Sequence, residues 1–553
     1  MTERVIPARY QPALPLDRLI LKEQPGEESV ELDVVFVGGG PAGLAGAIEL
    51  ARLVQRDNEA GGGLGEVSIA VLEKADGLGE HCLSGAVVNP APFRELFPEL
   101  GEADFPFRAR VPRDRVYWLT SDTRALRIPT PPTMRNHGLY IASICEIVRW
   151  LGEKAEELGV NIFTGFPAAA LLVDGQRVIG VRTAPTGLDR NGQPTGNYMP
   201  PTDVTARVTA LAEGTRGLLS QAYLEWQGIR SENPQIYALG VKEIWETREP
   251  LEAVVHTLGW PLPTDVFGGS FLYPLEPNVL AVGLVVGLDY HETALDPHGL
   301  LQRLKLHPLV RRYLEGGEMV EWGAKTIPEG GYYALPSRRH GDGVVILGDS
   351  AGFVDVASLK GIHYAMQSGI YAARAIFAAL KEGDISAARL SAYDRMVEGS
   401  FIMRDLYQRR NMRLAFRSGF YVGGAKAALM TLTRGRFPGG RIAAPPDAAV
   451  PRRPVPTPPF TPDGKLTFRK VDAVFRSGNA TRDTIPSHLL VGEDIPPDLA
   501  EMYEHMCPAG VYERQDGRLV VNAPNCIDCK ATDVLGPRWT PREGGSGPKY
   551  RRM

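Results

Sequence analysis

The pattern of apolar and polar positions first becomes informative at 34–37, where VVFV forms an unbroken apolar run after a polar leader of about 30 residues. The run feeds into GGGPAG and then into LAGAIELARL, whose apolar residues recur at helical spacing, so strand, glycine turn and helix are predicted in succession. A glycine-rich insert at 58–65 (NEAGGGLG) precedes a second strand at 68–74 (SIAVLEK). Between 85 and 330 the signals are mixed: short strands, proline-rich turns, one amphipathic helix over 143–158 (SICEIVRWLGEKAEEL) and a buried strand over 279–288 (VLAVGLVVGL). Another α/β unit is predicted over 343–380, where VVILGDS gives way to a long helix rich in Ala and Gly. The proline and glycine density of 437–462 marks a wrapping linker, and a compact region of about 90 residues follows it. No internal repeat appears.

Length turns this pattern into a multidomain expectation, since 553 residues correspond to roughly two to four domains at about 150 residues each. The charged fraction of 23% and apolar fraction of 44% exclude global disorder, collagen and coiled coil. A net charge of −4 argues against a nucleic-acid partner, which demands a basic excess. Neither a secretory h-region nor a spanning apolar stretch is present, so a cytoplasmic or peripheral protein is expected. Five cysteines are too few for a disulfide framework, but Cys507, Cys526 and Cys529 crowd into one stretch, far from Cys82 and Cys145.

Gly38, Gly40 and Gly43 stand in a G-x-G-x-x-G turn between strand and helix. There the first permits the tight turn, the second admits a pyrophosphate, and the third allows close helix–strand packing. Glu73 ends the second strand, where an acidic side chain binds the adenosine ribose. Far downstream, Gly348-Asp349-Ser350-Ala351-Gly352 resembles the second FAD motif of two-part flavoproteins, in which the Asp binds a ribityl hydroxyl. The helix N-terminus near Gly352 and Lys360-Gly361 then faces the flavin. Residues 212–217 (AEGTRG) resemble that fold's intermediate motif. The cysteines leave several readings open: an iron–sulfur cluster, a zinc site of His505, Cys507, Cys526 and Cys529, a redox dithiol, or plain buried thiols. His363, Tyr364 and Cys82 are read as packing residues.

Taken together, GGGPAGLAGAIEL, HCLSGAVVNP, PFRELFP, LGWPL, GGSFLYPL, GLVVGLDY, LEGGE, CPAGVYE, NAPNCIDCK and PREGGSGP resemble the electron transfer flavoprotein–ubiquinone oxidoreductase family from Asp33 to Tyr550. The resemblance implies a fold of α/β and α+β parts: a two-part FAD-binding Rossmann-like domain, an inserted quinone-binding domain and a C-terminal ferredoxin-like iron–sulfur domain. The boundaries it implies are a leader at 1–30; FAD-binding segments at 31–84, 125–165, 205–225 and 326–375; quinone-binding segments at 85–124, 166–204, 226–325 and 376–435; and a linker with the cluster domain at 436–553. It further implies FAD, a [4Fe–4S] cluster, electron transfer flavoprotein as donor and membrane ubiquinone as acceptor. If the protein is bacterial, the cytoplasmic face of the cell membrane is implied as its location. Gly268 and Gly269 match the pair lying against the quinone headgroup.

Two segments, 85–106 (Val87, Val88, Phe93, Leu96, Phe97, Leu100) and 411–432 (Phe416, Phe420, Tyr421, Val422, Leu429, Met430, alternating with Arg413, Arg417 and Lys426 as suits a lipid interface), match membrane-contacting stretches. The resemblance breaks at one ligand: Thr532 stands where the family has its fourth cluster cysteine, so a [3Fe–4S] cluster, or a [4Fe–4S] cluster completed by water, Asp528 or Asp533, is expected. The rival reading is an FAD-dependent reductase or hydroxylase of a small hydrophobic substrate, without a working cluster.

Overall fold

The computed structural model describes residues 4–455 and 460–553; residues 1–3, and 456–459 of the predicted linker, lie outside the described residues. The apolar run at 34–37 ends the strand Val30–Val37, in which Val34, Val35 and Phe36 have no exposed surface. Burial on both faces is what an unbroken apolar strand implies in a parallel sheet covered by helices. Its parallel neighbours are Asp203–Leu211 and Ile69–Glu73, with Asn161–Thr164 beyond. Val344–Ile346 pairs in parallel with Asp203–Leu211, so the strands that lead into the two predicted nucleotide motifs flank the same strand of one nine-stranded sheet.

The helix Pro41–Glu59 packs against the long helix Ile362–Glu382, and small residues set their separation. A Cβ on Gly369 would collide with the carbonyl of Ala42, and one on Gly46 would meet the Phe36 ring at 2.7 Å. The predicted helix over 143–158 is found as Ile144–Glu156.

The second sheet has seven strands in the order Glu318–Pro328, Tyr237–Glu246, Val279–Gly287, Gly268–Glu276, Val254–Gly259, Asp114–Leu119 and Ala125–Ile128. The helix Pro297–Leu306 covers it, and there Lys305 Nζ donates to both carboxylate oxygens of Glu243 at 3.0 and 2.9 Å in a fully buried pair.

Three boundary expectations differ from this topology. Ala168–Asp174 and Arg177–Thr183, placed with the quinone part, form a hairpin in the nucleotide sheet, turned at Gly175-Gln176 with Gly175 at φ 59. Ala125–Ile128, placed with the FAD part, pairs with Asp114–Leu119 in the other sheet. The leader is part of the fold, since Ile20–Leu21 pairs in parallel with Leu171 and Leu172.

The segment 85–106 also departs from expectation. Val88, Phe93, Leu96 and Phe97 are buried, and Phe93 and Phe97 pack edge-on or tilted against Phe105, Phe107 and Trp150. An aromatic cluster of this kind is core, so this stretch offers no apolar face to a membrane. The segment 411–432 is split. Arg413, expected at an interface, is buried and bonds Asp289 at 2.8 Å and Glu329 at 2.6 Å. The helix Phe420–Leu432 instead leaves Tyr421 64%, Val422 52% and Leu432 82% exposed.

The C-terminal region holds the helices Lys470–Phe475, Pro497–Met506 and Ala531–Leu535 and the hairpin of Tyr512–Gln515 with Arg518–Val521. Buried ion pairs fasten it to the nucleotide domain: Lys74 to Asp528 at 2.6 Å and Arg216 to Asp533 at 2.8 Å.

Candidate functional site

The three glycines of the turn differ in what surrounds them. Gly38 has φ 115, and a Cβ there would run into the carbonyl of Ala212. A Cβ on Gly43 would collide with the carbonyl of Gly38. A Cβ on Gly40, the N-cap of Pro41–Glu59, would meet nothing within 4 Å. Open space beside unpaired amides at a helix N-terminus suits a pyrophosphate. Glu73 turns its carboxylate onto this loop and accepts from the amides of Gly39 at 3.0 Å and Ala75 at 2.9 Å.

The second motif closes on the first. Gly348, at φ 58, donates its amide to Ser368 Oγ at 2.9 Å, and Ser350 Oγ donates to the carbonyl of Gly214 at 2.9 Å. Gly352 adopts φ 85 at the end of the Gly348–Ala351 turn, and Gly361 caps Ile362–Glu382. Thr215 Oγ1 donates to Asp349 at 3.2 Å, while burial pushes the Asp349 carboxyl up to about 6. A half-buried carboxylate with a single hydroxyl donor, lining the cavity, fits a ribityl partner.

The sign of the Asp349 shift gives a pH prediction. A raised folded pKa contributes stability that is present below the unfolded value near 4 and lost as pH rises through about 6. In FAD-free protein Asp349 is therefore expected to contribute a loss of roughly 3 kcal/mol across that window, and Asp349→Asn to reduce the pH dependence by about that amount. Chemical denaturation of FAD-free protein at each end of the window tests this; equal pH dependence in the two proteins would refute it.

One cavity joins the parts of the molecule. Gly38, Gly40, Glu73, Gly348, Asp349 and Gly361 line it on one side, and Gly240, Val241, Phe271, Tyr273 and Val285 of the second sheet line another. The C-terminal region contributes Lys530, Trp539 and Pro541. Ile362 and Ala365 face this space, whereas His363 and Tyr364 are buried in the helix packing, as expected. Cys82 lines it as a thiol that burial raises to about 12.

Several lining residues escaped the sequence reading. Lys242 donates to the carbonyls of Ser84 at 3.0 Å and Gly85 at 2.9 Å, and burial lowers its pKa to about 8. Tyr273 bonds His256 at 2.7 Å, and burial lowers that imidazole to about 3, keeping it neutral. Lys530 was detectable in principle, because it directly follows Cys529; no local pattern marks Lys242 or Tyr273.

Gly268 and Gly269 begin the strand Gly268–Glu276 but do not line the cavity. Close strand pairing accounts for both: a Cβ on Gly268 would strike the carbonyl of Val285, and one on Gly269 would meet that of Thr257 at 2.7 Å. Phe267, just before them, packs on Phe416 at 5.2 Å, and the Phe420 amide donates to Thr264 at 2.9 Å. The exposed helix Phe420–Leu432 is thereby anchored beside this end of the sheet.

Cys507, Cys526 and Cys529 are buried, and backbone amides bond their sulfurs: Ala509 and Val511 at Cys507, Asp528 at Cys526, Ala531 at Cys529. Burial raises all three thiols, Cys526 to about 12. Asp528 and Lys530 take left-handed φ values of 54 and 70, wrapping the chain around the site. Amide-to-sulfur bonds and a wrapped loop fit an iron–sulfur cluster.

The zinc quartet does not assemble. Among the described residues the His, Cys and carboxylate trio within 4.8 Å is His488, Cys526 and Asp528, without His505, Cys507 or Cys529. Tetrahedral zinc with bonds of about 2.3 Å would hold its sulfurs about 4 Å apart. Asp528 is no free ligand either, since it accepts from Lys74, Arg542 at 3.0 Å and Trp539 at 2.9 Å. Asp533 is equally engaged, with Arg216 at 2.8 Å and the Trp539 amide at 3.2 Å. The expectation that either carboxylate completes a cluster is therefore overturned.

Residues 237–327 match the family model described as ETF-QO, ubiquinone-binding, and 464–551 match that described as electron transfer flavoprotein-ubiquinone oxidoreductase, 4Fe-4S. The chain is 39% identical over 558 residues to the electron transfer flavoprotein-ubiquinone oxidoreductase of Pseudomonas aeruginosa, covering 95% of this chain and 100% of that one. It is 38% identical over 556 residues to the mitochondrial protein of that name from Oryza sativa, covering 96% and 94%. The human mitochondrial protein of that name is 36% identical over 564 residues, with coverage of 95% and 89%. Among solved structures, a geranylgeranyl bacteriochlorophyll reductase-like protein from Thermoplasma acidophilum shares the fold with a TM-score of 0.55 at 18% identity, over 74% of this chain and 97% of that one.

Proposed function

The chain belongs to the electron transfer flavoprotein–ubiquinone oxidoreductase family, and from that premise we propose that it passes electrons from reduced electron transfer flavoprotein to membrane quinone. The observation that carries this reading is the shared cavity: nucleotide motifs, quinone-domain strands and the residue after a cluster cysteine all open onto one space. Bound FAD exchanges one or two electrons and a bound cluster exchanges one, which lets a single-electron donor feed a two-electron acceptor.

The chain's own residues then have separable tasks. Gly38, Gly40 and Gly43 would hold the pyrophosphate of FAD, Glu73 and Asp349 would accept from its hydroxyls, and the N-terminus capped by Gly361 would stabilise charge on the ring. Cys507, Cys526 and Cys529 hold the cluster. Phe271, Val285 and Gly240 give the quinone ring a flat apolar wall, with Gly268 and Gly269 keeping that strand close to its neighbours. Tyr273, held by neutral His256, offers a proton at its hydroxyl to the quinone oxygen.

No helix among the described residues is long and apolar enough to cross a membrane. The helix Phe420–Leu432 supplies peripheral contact instead, with Tyr421, Val422, Leu432 and nearby Phe437 exposed among the exposed Arg417, Arg434 and Arg436. Apolar residues among arginines suit an anionic lipid interface. Replacing Val422 and Leu432 together by Glu removes about 2–4 kcal/mol of apolar insertion, so vesicle binding is expected to fall at least tenfold. Unchanged sedimentation with anionic vesicles would refute this helix as the contact.

The whole reading is tested by one anaerobic preparation. FAD, iron and sulfide should co-purify, and reduced electron transfer flavoprotein should drive quinone reduction. Reduced nicotinamide-dependent turnover of a hydrophobic substrate, with no quinone reduction, would favour a flavin hydroxylase instead.

A further inference from the structure

The match to a 4Fe-4S family model spans 464–551, yet that stretch contains only three cysteines. A [4Fe–4S] cluster ordinarily takes four thiolates. The remaining two cysteines are elsewhere: Cys145 Sγ donates to the carbonyl of Cys82 at 3.2 Å, and Cys82 lines the large cavity. The spacing Cys526-x-x-Cys529-x-x-Thr532 continues the two-residue rhythm of cluster motifs, so Thr532 occupies the position where the next ligand belongs. Its hydroxyl is buried and accepts from Tyr512 OH at 3.3 Å, and Tyr512 also lies within electrostatic reach of Cys507 and Cys526. Thr532 is therefore tied, through Tyr512, to the loop that follows Cys507.

Three side chains that could substitute as ligands are otherwise engaged or misplaced. Asp528 is held by Lys74, Arg542 and Trp539, and Asp533 by Arg216, Gln221 and Trp539. His488 keeps an unpaired buried Nε2, but its ligand nitrogen lies within 4.8 Å of both Cys526 and Asp528. That is the spacing of two ligands on one ion. Separate cube corners stand farther apart.

We infer that this chain binds a three-iron [3Fe–4S] cluster through Cys507, Cys526 and Cys529, because Thr532, its hydroxyl held by Tyr512, stands where a fourth thiolate would be needed to hold a fourth iron. A hydroxyl is a hard, weakly acidic donor, and an iron–sulfide corner selects soft thiolate. Thr532 offers no such thiolate. The inference rests on the cluster reading of the proposed function and specifies the cluster's composition.

The experiment uses the full chain purified without oxygen, so that oxidative loss of iron does not imitate a three-iron cluster. Iron and acid-labile sulfide are counted per FAD, and paramagnetic resonance spectra are recorded oxidised and reduced. Three ferric irons leave an odd electron count, so a three-iron cluster is paramagnetic when oxidised; an oxidised four-iron cube is spin-paired and gains a signal on reduction. The wild type should give three irons to four sulfides with an oxidised signal, and Thr532→Ala and His488→Ala should give the same. Thr532→Cys should give four to four, with its signal moved to the reduced state.

Four irons in the wild type, loss of the cluster in Thr532→Ala, a changed iron count in His488→Ala, or three irons retained in Thr532→Cys would each overturn the inference while leaving the proposed function intact. Absence of iron altogether would overturn both.

Discussion

Gly43→Ala is expected to yield protein without FAD. The helix beginning at Pro41 approaches its strand so closely that an added Cβ would overlap the carbonyl of Gly38, itself fixed at φ 115 against Ala212. Helix propensity favours alanine by about 1 kcal/mol. Overpacking against rigid backbone costs about 1–3 kcal/mol or more, because neither carbonyl can yield as a flexible side chain would. The steric cost outweighs the gain in propensity, and the helix is displaced from the sheet at the pyrophosphate turn. Flavin absorbance per polypeptide measures the result, and full occupancy would contradict it. Gly40→Ala is the companion variant: its Cβ meets only open space, so the apoprotein should fold normally while FAD binding weakens.

Asp528→Ala should release the C-terminal region from the nucleotide domain. Burial alone would raise this carboxyl, yet Arg542, Lys74, His81 and His488 hold it well below the usual carboxylate range. Removing the carboxylate leaves Arg542, which is 4% exposed at its side chain, as an uncompensated buried cation, a change of about 3–5 kcal/mol. The lost bonds to Lys74 and Trp539 act in the same direction. The expected outcome is a lower denaturation midpoint and new proteolytic cleavage near the linker at 437–462. Unaltered resistance to both would show that the docking rests on other contacts.

Much of the nucleotide site was legible because its chemistry is local. A strand, a glycine turn and a helix lie within about thirty residues, and Gly43 acts through the Gly38 carbonyl of that same segment, although Gly38 itself meets the distant Ala212. The 85–106 segment was misread for the opposite reason: its apolar spacing is the same whether Phe93 and Phe97 face lipid or Trp150, and Trp150 lies on another helix. The hairpin 168–183 was assigned to the wrong sheet because alternation specifies a strand but not its partner. Arg413 looked interfacial until Asp289 and Glu329, remote in sequence, were found to bury it. Lys242 and Tyr273 reach the cavity by tertiary placement alone, which no spacing rule encodes.

The wall that Lys530, Trp539 and Pro541 give the cavity also constrains the order of assembly. Those residues lie within the last 24 positions of the 553-residue chain, so they are synthesised long after the glycine turn at 38–43. That side of the cavity therefore exists only once Asp528 and Asp533 have seated on Lys74 and Arg216.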